Sequence, residues 1–284
     1  MRKIQIICDS SCDISIQDAE KLGIVIQPLS ISFDLSKSYR DQIDIDVDTL
    51  YQKVAEVGKT PKTAAMLPGQ YFEIFEKYLA KGYDIIYTGI GSGFSSSYST
   101  ACFVAEEVSE DHIEIVDSKN LSTGIALILY KALDWIKEGK DVHEVAELMR
   151  QEANQVRSQF AIDTMEYLHK GGRCGGMANL IGTILKIHPI IQVRDNQMVV
   201  AHKPRGKLNV AIDMMIEDLA AEKDNVCHDI ITITHSKADE YVAYTKQKIE
   251  ELIPDAKVIV TNAGCIVSSH CGPGTLGFFY RVKK

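Results

Sequence analysis

Glycine and hydroxyl side chains are concentrated in one short stretch, Gly89–Tyr98, whose sequence is GIGSGFSSSY. The apolar run Asp84–Thr88 precedes it and predicts a buried strand, and a helix is predicted over Tyr98–Val108. Glycines let the chain turn tightly, and the first amides of a helix have no partner inside that helix. Because hydroxyls and free amides at the positive end of a helix favour an anion, the stretch predicts an anion-binding site.

Two serines of this stretch, Ser92 and Ser95, each have two interpretations: a helix cap, which is the commonest use of serine there, or a ligand for the anion. A serine hydrolase favours Gly-x-Ser-x-Gly, but Ile90 stands where the first glycine before Ser92 would fall. A phosphate-binding loop needs a lysine after its last glycine, and none follows here. The pattern therefore favours neither nucleophilic catalysis nor nucleotide binding.

An arginine and a histidine lie in two other glycine-rich segments. Lys170–Gly176, with the sequence KGGRCGG, surrounds Arg173 with four glycines. This segment is either a flexible surface loop or a constrained loop whose guanidinium binds a carboxylate or phosphate through two hydrogen bonds. Ser268–Gly274, SSHCGPG, predicts a rigid glycine–proline turn around His270. A lone histidine is usually structural, but a loop position leaves it free to meet an anion.

Two more polar segments lie in predicted loops. Asp9–Asp13 follows the first predicted strand and is interpreted as a turn that caps the next helix. Thr63 lies in Lys59–Pro68, between two predicted helices, and local sequence alone makes its hydroxyl an ordinary turn group.

Composition excludes several classes of protein. The chain of 284 residues has a net charge of -8, which argues against binding to nucleic acid or to anionic membranes by charge. No apolar run is long enough to cross a membrane, and the N-terminal apolar run is too short for a signal peptide, so a cytoplasmic location is expected. Seven cysteines at scattered positions, without a Cys-x-x-Cys pair, predict neither a zinc site nor a disulfide framework.

Strand-like and helix-like segments alternate along the first half of the chain, which predicts an α/β fold with a mostly parallel sheet covered on both faces. The predicted strands are Lys3–Cys8, Ile24–Phe33, Asp84–Thr88, Ile113–Val116, Phe160–Ile162, Ile190–Val193, Met198–His202, Ile230–Thr234, Val258–Thr261 and Leu276–Val282. The predicted helices are Ile14–Leu22, one from Val47 to Gly58, Pro68–Leu79, Tyr98–Val108, Leu121–Lys137, one from Val142 to Val156, Thr164–His169, and two that begin near Lys207 and Ala238. We expect two closely packed α/β domains, 1–155 and 156–284, with a cleft between them.

The order of the polar motifs along the whole chain resembles the DegV family of bacterial fatty-acid-binding proteins, which includes the acyl-carrying subunit of fatty acid kinase. The motifs are Asp9–Asp13, Thr63, Ser92-Gly93-Phe94-Ser95, Asp117-Ser118, Tyr167–Arg173, His188–Ile191 and His270–Gly274. Each motif is weak alone, and their order carries the resemblance.

The resemblance implies a two-domain DegV-like fold that holds a long-chain fatty acid in an apolar tunnel, with no other cofactor and no metal. By motif position, Thr63 and Ser95 would hydrogen-bond the carboxylate, helped by amides near Ser95, and Phe94 of the same motif is included among the ligand-binding residues. Ser92 is a less certain neighbour of the carboxylate. Arg173 and His270 match the arginine and histidine that surround this headgroup.

The resemblance also implies partners. Arg205 is similar to an exposed basic site where a separate fatty acid kinase catalytic subunit docks, and transient contact with a membrane is compatible with this role. The chain itself is then a carrier and not an enzyme. A lipid sensor without a kinase and, less favoured, a serine acyl hydrolase using Ser92 or Ser95 with His270 are the alternatives.

Three departures from the family pattern are present. Ser95-Ser96-Ser97 replaces the usual Ser-Gly-Thr, and His188 stands where a lysine is expected before proline. Ala64–Leu67 replaces a polar run, which is expected to reshape the wall beside the headgroup and alter acyl preference.

Overall fold

Residues 2–34, 36–173 and 187–283 are described by a computed structural model of the protein. The strands in these ranges are β1 (Lys3–Asp9), β2 (Ile24–Gln27), β3 (Ser30–Ser32), β4 (Ser38–Arg40), β5 (Lys62–Ala64), β6 (Tyr83–Thr88), β7 (Ile113–Val116), β8 (Val156–Ala161), β9 (Ile190–Arg194), β10 (Gln197–His202), β11 (Ile230–Ser236), β12 (Lys257–Asn262) and β13 (Thr275–Arg281). The helices are α1 (Ile16–Leu22), α2 (Val47–Val57), α3 (Pro68–Leu79), α4 (Ser97–Val108), α5 (Thr123–Lys137), α6 (Val142–Ala153), α7 (Glu166–Lys170), α8 (Leu208–Ala221), α9 (Asp239–Leu252) and α10 (Cys265–Cys271).

The first half of the chain builds a four-stranded sheet in the order β2-β1-β6-β7, in which every neighbouring pair is parallel. Neighbouring residues of β1 point to opposite faces, so Ile6 packs in one buried apolar cluster and Ile7 in another. Helix residues such as Ile128 cover the first face and Phe75 covers the second. The predicted α/β fold, with a parallel sheet flanked by helices, is confirmed.

A small antiparallel sheet, in the order β4-β3-β5, is absent from the sequence prediction. The predicted single strand region Ile24–Phe33 is divided between this sheet and the parallel one, and Pro28 lies at the division because it has no amide to donate. The prediction that Thr63 lies in a loop is wrong, since β5 pairs Thr63 with Ile31 of β3. Strands of three residues are too short to show a periodic pattern.

The second half of the chain builds a six-stranded sheet in the order β10-β9-β8-β13-β11-β12. Its pairs are antiparallel except β11 with β12. The predicted hairpin around Asp195-Asn196 is confirmed, and both turn residues have left-handed φ angles, 49° and 60°. Every described strand of this sheet follows residue 155, where the domain boundary is expected. Helix α5 contacts β13 and also packs in the core of the parallel sheet, so the two halves are joined along it.

The segment around His270 differs from its prediction. A rigid glycine–proline turn is expected there, but Cys265–Cys271 is helix α10, and His270 lies in its last turn. Gly272, with φ 80°, ends the helix. The glycine–proline signal therefore marks the end of a short helix and not a turn that includes His270.

Candidate functional site

An apolar cavity lies between helix α10, the small sheet and the six-stranded sheet, and its empty space is about 900 Å³ including the part open to solvent. Its apolar lining includes Leu29, Ile90, Phe94, Leu121, Phe160, Leu168, Met198, Ile266, Val267 and Phe279. Polar side chains are concentrated at two places, one around Thr63 and His270 and the other around Ser122 and Thr234. The hydroxyls of Ser122 and Thr234 are already paired within the protein, with Asp13 and with Thr123 and Thr261. The cavity therefore suits a ligand with an apolar body and a polar end that lies near Thr63 and His270.

One face of α10 and the residues before it form a long wall of the cavity. Ala263, Ile266, Val267, His270 and Cys271 all line the cavity, at the spacing that places residues on one side of a helix. His270 lies in the last turn of α10 and Ala263 lies two residues before its first residue, Cys265, so the two residues lie at opposite ends of this seven-residue helix. The imidazole marks one end of this wall and the methyl group of Ala263 the other.

Two buried carboxylates from the first half of the chain hold the start of α10. The amide of Gly264 donates to Asp13 Oδ1 at 2.7 Å, and the amide of Cys265 donates to Asp41 Oδ1 at 3.0 Å. Burial, with a smaller contribution from the nearby Asp41 charge, raises the pKa of Asp13 to about 8. These bonds satisfy amides that a helix start leaves without partners, and they fix α10 against the first half of the chain.

Thr63 and His270 are brought together at the other end of α10. Thr63 Oγ1 lies 2.8 Å from His270 Nε2, and His270 Nδ1 is buried without a hydrogen-bond partner among the described residues. A Cβ atom on Gly171 would lie 2.3 Å from His270 Nδ1, so only glycine allows the α7 end to approach this ring. Burial, and then the charge of Arg173, lowers the pKa of His270 to about 4. The ring is therefore neutral near pH 7.

The guanidinium of Arg173 lies beside this pair and is fixed by backbone carbonyls. Arg173 Nη1 donates to Gly171 O at 2.8 Å, and Nε donates to Phe94 O at 3.2 Å. Both Phe94 and Arg173 line the cavity. Lys170–Gly176 has two interpretations, and the part up to Arg173 fits the constrained loop. Cys174–Gly176 lies outside the described residues.

Ser95 lines the cavity and, one position before the N-cap residue of helix α4, bonds to the first residue of that helix. Its Oγ accepts a hydrogen bond from the Ser97 amide at 3.2 Å and lies 2.9 Å from Ser97 Oγ. A hydroxyl has one donor and two acceptor positions, so the contacts with Ser97 use only part of the hydrogen-bonding capacity of Ser95. A contact between Ser95 and a ligand carboxylate stays a prediction.

Ser92 does not line the cavity and belongs to a neighbouring set of contacts, here called the clasp. Ser92 Oγ donates to Asp117 Oδ2 at 2.6 Å and accepts from Asn196 Nδ2 at 2.7 Å. The amide of Gly93 donates to Asn196 Oδ1 at 3.2 Å. The clasp of Ser92, Gly93, Asp117 and Asn196 joins the loop after β6 to the β9–β10 turn. Ser92 is thus fully hydrogen-bonded beside the site.

The sequence does not predict that Asp117 and Asn196 belong to the clasp. Asp117 belongs to a quoted motif, and Asn196 was assigned only a turn role. Their contacts join segments 79 residues apart in the chain, which no local pattern reports.

The remaining sequence-predicted positions lie away from the cavity. Arg205 is exposed, and its backbone forms a bridge with Ile187. His188 Nδ1 lies 3.5 Å from Asp163 Oδ1. Asp9 accepts from the Ser11 amide at 3.0 Å and caps a single 3-10 turn, Ser10–Cys12. The predicted turn is present, but the prediction that this segment caps the next helix is wrong, because Ser15 caps α1. Asp9 also accepts from the Ile90 amide at 3.0 Å, which fixes the loop after β6.

Residues 2–34, 36–173 and 187–283 lack two kinds of feature. They contain no group of three or more histidine, cysteine, aspartate or glutamate side chains placed to hold a metal ion. Across the same ranges, no helix combines the length and apolar character that a membrane crossing requires.

The fold and the cavity of the described residues define an α/β protein with three sheets and an apolar pocket, one end of which carries a threonine, a histidine and an arginine. The chain belongs to the DegV family, whose model, described as an uncharacterised protein family, matches residues 3–283.

Three solved structures share the fold. A DegV family protein from Thermus thermophilus, which was solved in a study of its fatty acid binding, is 24% identical to this chain, with a TM-score of 0.91 and complete coverage of both chains. A stearic acid-binding protein from Eubacterium ventriosum is 26% identical, with a TM-score of 0.86 and 98% of each chain covered. The Fatty Acid Kinase B3 protein of Streptococcus pneumoniae, loaded with linoleic acid, is 20% identical, with a TM-score of 0.85 over 99% of this chain and 100% of the other.

Proposed function

We propose that this protein is a fatty acid carrier that holds a long-chain acid in the cavity and presents its carboxylate to a separate ATP-dependent kinase. The observation that carries the proposal is the Thr63–His270 pair, 2.8 Å apart beside Arg173, at one end of an apolar cavity. The fatty acids named for the Thermus, Eubacterium and Streptococcus proteins support the ligand class. The kinase name of the Streptococcus protein supports the partner.

The apolar lining supplies most of the affinity in this proposal. Burial of about fifteen methylenes at roughly 0.8 kcal/mol each gives on the order of 12 kcal/mol before the cost of ordering the chain. That term does not select which end of the ligand faces the mouth. A carboxylate buried without donors is strongly unfavourable, so donors at one end determine the orientation.

The polar end provides those donors. The hydroxyl of Thr63 and one imidazole nitrogen of His270 share a hydrogen bond, and Arg173 is the nearby cation. A carboxylate in this position accepts from the hydroxyl and gains from the guanidinium charge. An acyl phosphate adds negative charge, which the nearby guanidinium of Arg173 offsets, so the product stays bound after transfer.

The hydrolase alternative receives little support from the hydrogen bonds. His270 Nε2 is paired with Thr63, Ser95 Oγ with Ser97, and Ser92 Oγ with Asp117 and Asn196. A nucleophilic serine needs a base within hydrogen-bond reach, and neither serine has His270 as a partner. The sensor alternative shares the cavity with the carrier and differs only in lacking a kinase.

Native mass spectrometry with lipid identification, on protein purified from its own host, tests the ligand. The expected result is a stoichiometric long-chain fatty acid, and a lipid-free protein that also takes up no added fatty acid would overturn the proposal.

Co-purification of the kinase from the same host tests the partner. We expect Arg205→Glu to abolish it, because the family resemblance puts the kinase docking site at this exposed arginine, and Arg194→Glu, at another exposed arginine of the second half, to retain it. Fatty acid binding without any kinase activity in the co-purified fraction would favour the sensor. Turnover of acyl esters without ATP, lost in Ser95→Ala, would favour the hydrolase.

A further inference from the structure

A second hollow lies behind the far end of the cavity, on the opposite side of a thin wall. It is an open groove with about 1280 Å³ of empty space including open solvent, and Ile45, Ile259 and Val260 contribute to its apolar lining. Ala263 lines both this groove and the cavity. Its side chain is a single methyl group, and it is 3% exposed.

The wall is a single layer of side chains on either side of Ala263. Ser122 lines the cavity and Asp13 lines the groove, and the Ser122 hydroxyl donates to Asp13 Oδ2 at 2.5 Å. Thr234 lines the cavity and Thr261 lines the groove, and their hydroxyl oxygens lie 3.0 Å apart. Each pair is in direct contact across the wall, so the cavity and the groove are separated by one hydrogen-bonded layer.

The wall is held rigidly. The amide of Ala263 donates to His235 O at 2.8 Å, and the next amide, of Gly264, donates to Asp13. Moving the wall to admit a longer ligand therefore breaks hydrogen bonds between buried groups, which is unfavourable. The wall also lies at the start of α10, at the end opposite to His270, Thr63 and Arg173.

We propose that Ala263 determines the length of the acyl chain that the protein accepts. With the carboxylate at Thr63 and His270, the terminal methyl of the ligand meets the wall at Ala263. A larger side chain there occupies space that the last methylenes of a long acid would fill, whereas glycine opens the wall toward the groove. This inference rests on the proposed function and names its specificity-determining residue.

The test is the dissociation constant for a homologous series of saturated fatty acids, measured on delipidated wild type, Ala263→Leu and Ala263→Gly. Ala263→Leu is expected to weaken the longest bound acid about tenfold, the loss expected when about two methylenes lose their burial, and to leave the shortest acids unchanged. Ala263→Gly is expected to shift the optimum to longer acids. Val260→Leu, which adds volume on the groove side, is the matched control and should keep the wild-type profile.

Each outcome has a defined meaning. If wild type binds none of the acids, the proposed function fails. If wild type has a length optimum that both Ala263 variants share, the inference about Ala263 is overturned while the function stands. Thermal unfolding checks that each variant is folded, and the glycine variant decides the question if the leucine variant does not fold.

Discussion

The hydroxyl of Thr63 lies 2.8 Å from Nε2 of His270, although 207 residues separate them in the chain. Thr63 is held by the small sheet and His270 by the last turn of α10, so the pair exists only where two distant segments pack together. The headgroup end of the cavity is therefore a product of tertiary structure.

Removal of the Thr63 hydroxyl tests whether this pair binds an anion. Thr63→Val keeps the shape of the side chain, and we expect fatty acid affinity to fall about tenfold to a hundredfold, the value of a hydrogen bond to a charged group. Thr63→Ser should restore most of it. Isothermal titration with a fatty acid and with its methyl ester separates the contribution of the carboxylate to the affinity from that of the acyl chain, because the ester carries no negative charge. Equal loss for acid and ester would contradict the assignment.

The pH dependence of stability should report the burial of His270. The pKa of His270 falls to about 4 in the folded protein, below its ordinary value of 6.5, so the folded state binds fewer protons than the unfolded state between these values. The stabilisation is present above pH 6.5 and is lost as the pH falls toward 4. In urea titrations across this range, the free energy of unfolding should fall more steeply for wild type than for His270→Gln.

His143 is the control for that experiment. It is exposed and hydrogen-bonded to Glu114 Oε1 at 2.6 Å, which raises its pKa above the ordinary value. Its small contribution is present at low pH and is lost as the pH rises, so His143→Gln should change the slope in the opposite direction. A common slope for wild type and His270→Gln would show that His270 is not buried as neutral imidazole.

The clasp should govern the attachment of the β9–β10 hairpin and not the affinity for the carboxylate. Ser92→Ala removes hydrogen bonds to Asp117 and from Asn196, and we expect a stability loss of about 1–3 kcal/mol. Hydrogen exchange should rise in the hairpin, whereas the preference for acid over methyl ester should stay. If Ser92→Ala selectively lost binding of the acid, Ser92 would have to be a ligand of the carboxylate after all.

Gly93 should be the least replaceable residue of the clasp. A Cβ atom at Gly93 would lie 1.8 Å from the Asn196 carbonyl oxygen, which is backbone and has little freedom to move. Gly93→Ala is therefore expected to detach the turn and to lower the melting temperature clearly. Gly69→Ala is the matched control, since no atom lies within 4 Å of its added Cβ and alanine is the better helix former. Equal melting temperatures would contradict the docking of the turn.

Local patterns predicted the elements of the fold well and the contacts of the site poorly. The helices predicted from Val47 to Gly58 and from Val142 to Val156 rest on local patterns, and the structure contains both, as α2 and α6. The small sheet and α10 are short, so their patterns carry little information. One signal was available for α10: apolar or small residues at 263, 266, 267 and 271 have helical spacing with His270.

The two serines show the limit of a motif. Ser92 and Ser95 are three positions apart in one glycine-rich loop, and sequence alone gives no way to separate them. In the structure Ser95 faces the cavity while Ser92 faces Asp117 and Asn196. The difference depends on where the β9–β10 turn docks, which is a contact across 104 residues.

The position of His270 has a consequence for biosynthesis. Translation proceeds from the N-terminus, so the ribosome has made the whole parallel sheet and most of the six-stranded one before it adds α10. Until then the cavity lacks a long wall and Thr63 lacks its partner. In the carrier proposed above, cargo is therefore loaded only after α10 has been synthesised, and a truncated nascent chain that stops before residue 265 should emerge empty.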